Sequence, residues 1–171
     1  MPLKLIANWK LNGSIAFDDQ WAEEFFKNFS SSNFQSIGIA PASIYIDHLS
    51  KVIGNCGIKI GAQNICDEES GARTGEISAS MIKDLGCKFS LIGHSERRIF
   101  FQESNKIISK KINQANNNSL TPILCIGETA DENERNNTYA VLESQINEAL
   151  QGHNELSSLI IAYEPVWAIG S

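Results

Sequence analysis

Short apolar stretches rich in β-branched residues recur along this chain at intervals of roughly thirty residues. Each of the first five is followed by a segment with apolar residues at helical spacing. This alternation is typical of βα units in which helices cover a parallel sheet, and it predicts about six such units. The predicted strands cover residues 3–7, 36–40, 58–63, 89–92, 122–126 and 159–162. The predicted helices cover residues 17–29, 44–53, 80–85, 105–116 and 138–150.

The residues between these segments are signals for helix ends and turns, which predicts that residues 1–171 form one domain. Glycines stand where helices must stop, a position that favours the left-handed backbone. They are Gly54, Gly57, Gly86 and Gly152. The asparagine-rich run 116–119 predicts a turn, not a linker. Segment 64–78, reading NICDEESGARTGEIS, is longer than most βα connections. Loops of this length are often functional, and the alternative is a solvated surface excursion.

The amino-acid composition argues against some kinds of binding partner. With 42% hydrophobic and 20% charged residues the chain can bury a sizeable core, and its net charge of −6 argues against a nucleic-acid surface. It contains no apolar run of the roughly eighteen residues that a membrane span needs, nor a signal-peptide-like start. We therefore expect a cytoplasmic protein without a nucleic-acid or membrane partner. The four scattered cysteines form no CxxC pair, so they suggest neither zinc nor disulfides.

Polar residues directly follow the predicted strands. In parallel α/β sheets ligands bind beyond the carboxyl ends of the strands, so these residues are the candidates for chemistry. Alternation along an extended chain places Asn8 and Lys10 on one side and Trp9 on the other. The remaining candidates are Gln63, Asn64, residues 94–98 of sequence HSERR, Gly127, Glu128 and Glu164.

Each candidate alone has a plainer interpretation. Lysines are usually solvated, asparagines favour turns, and a histidine can be a core residue bonded to a carbonyl. An acidic residue can complement the dipole of a helix that a serine caps, as Glu96 and Ser95 would. Lys110 and Lys111 lie in a helical pattern, where a solvated face is expected. Convergence of Lys10, His94 and Glu164 on one rim favours function.

These residue types suit proton abstraction next to a carbonyl group. A glutamate takes the proton, a histidine donates a hydrogen bond to the carbonyl oxygen, and a lysine holds an anionic group. No metal is required. A rival from the same residues is retaining glycoside hydrolysis with Glu96 and Glu164, but Trp9 and Trp167 are the only evident sugar-stacking aromatics.

Six segments, taken in order, resemble the triosephosphate isomerase family. They read NWKLNG at 8–13, GAQN at 61–64, GE at 75–76, IGHSERR at 92–98, CIGE at 125–128 and AYEPVWAIG at 162–170. The resemblance implies a (β/α)8 barrel that interconverts dihydroxyacetone phosphate and glyceraldehyde 3-phosphate, without metal or organic cofactor. It also implies a role in glycolysis and gluconeogenesis. An unrelated α/β phosphate-binding protein would require all six matches to be accidental.

The resemblance also implies the roles of individual residues. Glu164 would be the catalytic base, and His94 a neutral electrophile next to the short helix opened by Ser95. Lys10 would supply positive charge, and Asn8 would orient substrate oxygens. As supporting residues, Glu96 would position Lys10, and Ser95 would be the resting partner of Glu164.

Two further segments gain an interpretation from the resemblance. Residues 165–167 would form the first hinge of a closing lid and 168–170 the start of its tip, with the Gly170 N–H binding phosphate. Segment 64–78, which includes Thr74, Gly75 and Glu76, would be the interdigitating loop of a homodimer, with Thr74 at its tip close to the partner's Asn8 and the partner's Lys10. Ile65 and Ile77 at its base fit a loop held in place.

The sequence is shorter than the complete barrel that the resemblance implies. A complete barrel has eight strands and about 250 residues, whereas this sequence has 171 residues and about six predicted strands. We therefore expect the sequence to be truncated relative to the family and inactive by itself. The alternative is a barrel fragment that folds or associates without catalysis.

Overall fold

A computed structural model describes residues 5–29, 34–154 and 156–168. In these ranges six parallel strands form one sheet in sequential order, from β1 to β6. The strands are β1 (Leu5–Asn8), β2 (Ile37–Ala40), β3 (Lys59–Ala62), β4 (Phe89–Ile92), β5 (Thr121–Ile126) and β6 (Ile160–Tyr163). A doubly wound sheet would reverse its order, so the sequential order is that of a (β/α)8 barrel. The predicted fold class is confirmed.

Seven α-helices connect the described strands. They are α1 (Ile15–Asn28), α2 (Ile46–Ile53), α3 (Ala79–Asp84), α4 (Ser95–Phe100), α5 (Asn105–Asn117), α6 (Ala130–Glu134) and α7 (Thr138–Ala149). Two 3₁₀ turns cover Ser43–Tyr45 and Val166–Ala168. None of the helices in the described ranges is long and apolar enough to cross a membrane.

The sheet separates two apolar layers, which follows from the alternation of side chains along each strand. The larger layer lies between strands and helices, where Ile39 and Leu124 pack with Leu49, Ile108 and Ile112. The smaller layer, on the opposite face of the sheet, contains Ala40, Phe89, Leu91 and Ile123. A Cβ on Gly61 would lie within 2.6 Å of Phe89 Cγ, so glycine makes room for that ring.

The outer strands are the least covered part of the described sheet. Leu5 on β1 is 62% exposed, and Ile161 and Tyr163 on β6 are 46% and 50% exposed. Both strands have a neighbour on one side only within the described sheet. Trp9 packs against Phe17 and the helix layer, on the side predicted from alternation.

Some boundaries differ from those predicted. The asparagine run 116–119 is not wholly a turn, since α5 continues to Asn117 before Ser119 takes a φ of 53°. The helix α6 was not predicted because it is short and polar; a capping box between Thr129 and Glu132 starts it. Gly54 and Gly86 have positive φ after α2 and α3, as predicted.

Candidate active site

The carboxyl ends of β1, β4 and β6 bring three predicted side chains into one region. His94 Nε2 lies 3.6 Å from Glu164 Oε2, and Lys10 Nζ donates to Glu96 Oε1 at 2.9 Å. His94 also lies 3.5 Å from Glu96 Oε2, measured from Nδ1. A cation, an imidazole and a carboxylate therefore share one rim of the sheet, although Lys10, His94 and Glu164 are far apart in sequence.

The tautomer of His94 follows from its backbone contact. His94 caps α4, and its Nδ1 accepts a hydrogen bond from the Glu96 backbone N–H at 3.3 Å. An N–H donor at Nδ1 requires a lone pair there, which places the imidazole proton on Nε2. The ring is thus a neutral donor aimed at the side of the site where Glu164 lies. Only 7% of its side chain is exposed, so this orientation is fixed.

Lys10 has an unusual backbone conformation, with a φ of 54°. Left-handed backbone is unfavourable for lysine, and such strain persists only where neighbours hold it. Asn8 Oδ1 accepts from the Lys10 N–H at 3.0 Å, and Gln63 Nε2 donates to the Lys10 carbonyl at 2.9 Å. Gln63 also donates to the carbonyl of Ala40, so it ties the Lys10 turn to β2. Its role in holding Lys10 was not predicted.

Glu164 is placed by the backbone directly after β6. Its N–H donates to the Ile126 carbonyl at 2.9 Å, and the Val166 N–H donates to the Glu128 carbonyl at 2.9 Å. The Glu164 side chain, 49% exposed, lines a small cavity together with Ser95 and Cys125. Burial raises the pKa of Cys125 to about 12, and the Glu164 charge acts in the same direction. This thiol therefore stays protonated and is no nucleophile near neutral pH.

Glu128 joins the residues on both sides of Glu164. Its carboxylate accepts from Trp167 Nε1 at 3.1 Å, from the Tyr163 hydroxyl at 3.2 Å and from Asn133 Nδ2 at 3.1 Å. Burial raises the pKa of Glu128, but these hydrogen bonds lower it more, so the net shift is downward. The ionised carboxylate thus holds Trp167 in the segment predicted to be the lid hinge.

Arg98 connects the ends of β4 and β5. Its guanidinium donates to the Gly93 carbonyl at 2.7 Å, to the Cys125 carbonyl at 3.3 Å and to Asn105 Oδ1 at 2.6 Å. Burial lowers the pKa of Arg98, yet an arginine remains charged at neutral pH. The sequence placed Arg98 among the candidate residues 94–98 without a specific role, whereas here it braces the ends of β4 and β5.

Lys111 corrects an expectation. It was predicted to lie on a solvated helix face with Lys110, but its side chain is only 4% exposed. Lys111 Nζ donates to Glu103 Oε1 at 2.6 Å and to Asn64 Oδ1 at 2.7 Å. A buried ammonium persists when a carboxylate and a second acceptor pair it, and this pair joins α5 to the base of loop 64–78.

Sequence comparisons identify the relatives of this chain. A sequence model of the triosephosphate isomerase family matches residues 3–171. The triosephosphate isomerase of Thermodesulfovibrio yellowstonii is 44% identical over 172 residues, which cover 100% of this chain and 70% of the relative. That of Dictyoglomus thermophilum is 43% identical over 171 residues, covering 98% and 68%. The chain belongs to the triosephosphate isomerase family. This is a family of isomerases, and its reaction interconverts two triose phosphates.

The structure describes some but not all of the other residues that the triosephosphate isomerase resemblance had marked. Ser95 opens α4 as predicted but does not cap it, because His94 is the capping residue. Gly170, the predicted phosphate donor, lies outside the described residues, as do Ile169 and Ser171. Across the ranges that the structure describes, no cluster of three or more His, Cys, Asp or Glu side chains could hold a metal ion.

The loop that the triosephosphate isomerase resemblance assigns to a dimer is held at its base and exposed at its tip. The Cys66 N–H donates to the Ile77 carbonyl at 2.8 Å, and Ile65 is fully buried. Lys110 Nζ contacts Asp67 at 3.5 Å and Glu68 at 3.3 Å. Residues 69–76, which include Thr74, Gly75 and Glu76, are exposed. The base is therefore fixed on its own chain while the tip is available.

Proposed function

We propose that this site interconverts dihydroxyacetone phosphate and D-glyceraldehyde 3-phosphate by proton transfer through an enediolate. The observation that carries the proposal is the pairing of a neutral His94, with Nε2 as donor, and the Glu164 carboxylate 3.6 Å away. A base and a hydrogen-bond donor at this spacing can act on a carbon and on the oxygen attached to its neighbour. Lys10 supplies a cation on the same rim.

The proposed chemistry begins with Glu164. Its carboxylate takes a proton from the carbon next to the substrate carbonyl, and the electron pair of the broken C–H bond forms a C=C bond while the carbonyl becomes an enediolate oxygen. His94 Nε2–H donates a hydrogen bond to the oxygen on which charge develops. The protonated Glu164 then returns the proton to the neighbouring carbon, while the hydroxyl proton of the first carbon passes to the enediolate oxygen, so that the first carbon becomes the carbonyl. One carbon is oxidised and the other reduced, so the step needs no external electron carrier.

Lys10 would attract and hold the anionic substrate. The chain has a net charge of −6, which repels a phosphate ester, so a local cation is required. Glu96 contacts the Lys10 ammonium at 2.9 Å, while Asn8 and Gln63 hold its backbone, so the charge is positioned before substrate binds. We assign Asn8, Lys10 and Gly170 to substrate binding, and Ser95 and Glu96 to support.

Residues 165–167 are proposed as the resting first hinge of a lid. Trp167 is tied to Glu128 by its indole N–H, and the Val166 N–H bonds to the Glu128 carbonyl. Releasing these two contacts would free the segment to close over the substrate. Closure excludes water from the enediolate phosphate, which would otherwise be lost to side reactions such as elimination of phosphate.

Removal of the Lys10 charge tests substrate recognition. In the full-length protein, by which we mean this sequence continued to the length of its relatives, Lys10→Ala is expected to abolish measurable binding of phosphate-bearing substrate analogues and to leave the melting temperature nearly unchanged. Lys10 forms one half-exposed ion pair, and such pairs contribute little to stability. Calorimetric titration with an analogue and a coupled isomerisation assay measure the two effects.

The matched control is Lys27→Ala, because Lys27 is an exposed lysine in the last turn of α1, which leads to the amino end of β2. This control removes the same net charge and should bind and turn over as the parent does. Unchanged analogue affinity in Lys10→Ala would show that Lys10 is only a solvated lysine. Absence of isomerisation in the parent protein would overturn the proposed function itself.

We also propose a cytoplasmic homodimer in which the loop tip inserts into the second copy. The exposed tip lies on a fixed base, and a Cβ on Gly71 or Gly75 would meet no atom within 4 Å. Large apolar side chains lie exposed on the same chain, among them Leu11 at 98% and Phe100 at 74%. A second copy would cover such surface, whereas the acidic charge disfavours a nucleic-acid partner.

Shortening the loop across residues 71–76 tests this interface. The full-length variant is expected to sediment as a monomer with much lower activity, since the loop tip would no longer reach the partner. The control Arg73→Ala keeps the loop length and breaks only an exposed contact with Glu68 at 3.8 Å, so it should remain dimeric. A shortened protein that still sediments as a dimer would refute this interface.

A further inference from the structure

The peptide group of Gly127 is held on both sides by one side chain. Gly127 lies one residue beyond the end of β5. Its N–H donates to Gln145 Oε1 at 3.0 Å, and its carbonyl accepts from Gln145 Nε2 at 3.0 Å. Gln145 lies on α7, 18 residues away in sequence. The side-chain amide thus pairs with the Gly127 backbone as an adjacent strand would, and it fixes the position of this turn relative to α7.

The backbone of Glu164 rests directly on Gly127. Hydrogen bonds from Glu164 to Ile126 and from Val166 to Glu128 lie on either side of the glycine. A Cβ built on Gly127 would overlap the Glu164 carbonyl oxygen and lie 2.8 Å from its carbonyl carbon. No atom could be added between these two segments without moving one of them. Any displacement of Gly127 is therefore transmitted to Glu164.

The side chain of Glu164 depends on this backbone support. It is 49% exposed, and its carboxylate is 3.6 Å from His94 Nε2. His94 is fixed from the other direction by burial and by its bond to the Glu96 N–H. The relative position of the two groups is therefore set by the turn beneath Glu164 more than by contacts of its own carboxylate.

We propose that Gln145 is a positioning residue for the reaction, acting through Gly127 on the placement of Glu164; the inference rests on the proposed function. In the part of the chain that the structure describes, Gln145 is not among the residues that line the cavity beside Glu164. It holds the peptide against which the base-bearing segment packs. Misplacement of a catalytic group by about 1 Å can lower the rate roughly a hundredfold, so even a small shift of Gly127 is expected to lower kcat.

Gln145→Met in the full-length protein tests the inference. Methionine has a similar length and volume but can neither donate to the Gly127 carbonyl nor accept from its N–H. We expect kcat to fall by about tenfold to a hundredfold while KM for triose phosphate changes less than about threefold, because Lys10 and the phosphate-binding groups are unaffected. Gln151→Met makes the same chemical change at an exposed glutamine just after α7 and should leave kcat unchanged.

A double-mutant cycle separates positioning from general destabilisation. Once Glu164→Gln has removed the base, its exact placement no longer matters, so adding Gln145→Met should leave the residual rate unchanged. If Gln145→Met alone leaves kcat at the parent value, or lowers the residual rate of Glu164→Gln by the same factor as in the parent, the inference is wrong. If Glu164→Gln itself keeps full activity, it is the proposed function that fails.

A second variant covers the case in which Gln145→Met does not fold. Gln145→Glu retains an acceptor for the Gly127 N–H, but it replaces the donor to the Gly127 carbonyl with a carboxylate oxygen that repels that carbonyl. We expect kcat of Gln145→Glu to fall below that of the parent, by up to about a hundredfold, again with little change in KM. A kcat equal to that of the parent in this variant would likewise overturn the role of Gln145.

Discussion

Replacing Glu164 by glutamine is expected to lower kcat of the full-length protein by several orders of magnitude. The amide has nearly the shape of the carboxylate but cannot accept a proton from carbon, so the first step loses its base. The backbone bond from Glu164 to Ile126 does not involve the side chain and should persist. Steady-state kinetics of the isomerisation measure the loss, and unchanged substrate-analogue affinity would show that the defect is chemical and not one of binding.

An exposed glutamate provides the control for this substitution. Glu23 is an exposed residue in the second half of α1, which leads to the amino end of β2, and Glu23→Gln makes the same change in net charge. Its kcat should equal that of the parent. Near-parent turnover in Glu164→Gln would remove Glu164 from the role of base, and the search for a base would then move to Glu96, the other carboxylate within reach of His94.

The strands and the rim residues could be predicted because they depend on local pattern. Apolar runs at βα spacing gave strands whose comparable ends agree with the structure to within one residue, as at 89–92. Parallel strands with βα connections must bring their carboxyl ends to one edge of the sheet, so residues that follow strands are expected to be neighbours. This geometry is enough to bring His94 and Glu164 together without any knowledge of side-chain contacts.

The supporting residues could not be predicted in the same way because their partners are distant in sequence. Gln145 lies on an amphipathic helix, where a polar residue is expected to face solvent. Its partner Gly127 has no side chain, so nothing in the sequence indicates the contact. Lys111 was misassigned for a similar reason, since periodicity does not show that Glu103 and Asn64 reach it in the interior. Helical spacing describes which face a residue occupies, whereas burial of a polar group depends on the partner it meets.

The cap of α4 and the backbone conformation of Lys10 also could not be predicted from the sequence. Ser95 matches the usual chemistry of a helix cap, but the cap of α4 is His94, whose ring nitrogen accepts from the Glu96 N–H. Histidine is not among the residues that the capping rule favours. The left-handed conformation of Lys10 is equally invisible in sequence, because it depends on Asn8 and Gln63 holding the turn from outside.

A polypeptide of these 171 residues alone, verified at 18.8 kDa, is expected to show no isomerase activity above buffer and to bind a hydrophobic dye. The described sheet has six strands where the barrel has eight, so β1 and β6 would remain open edges. Leu5, Ile161 and Tyr163 on these strands are already about half exposed or more. Exposed apolar surface next to unpaired strand edges favours association between chains.

Catalysis should fail in that polypeptide for a geometric reason. A barrel closes only when strand number, tilt and stagger agree, and closure holds the ends of β1 and β6 at a fixed separation. Lys10 follows β1 and Glu164 follows β6, so an open sheet lacks the closure that would fix the distance between cation and base. A coupled assay and dye fluorescence, run beside the full-length protein at equal concentration, decide the matter. Robust turnover by the 171-residue polypeptide would mean that six strands suffice to hold Lys10, His94 and Glu164 in catalytic geometry.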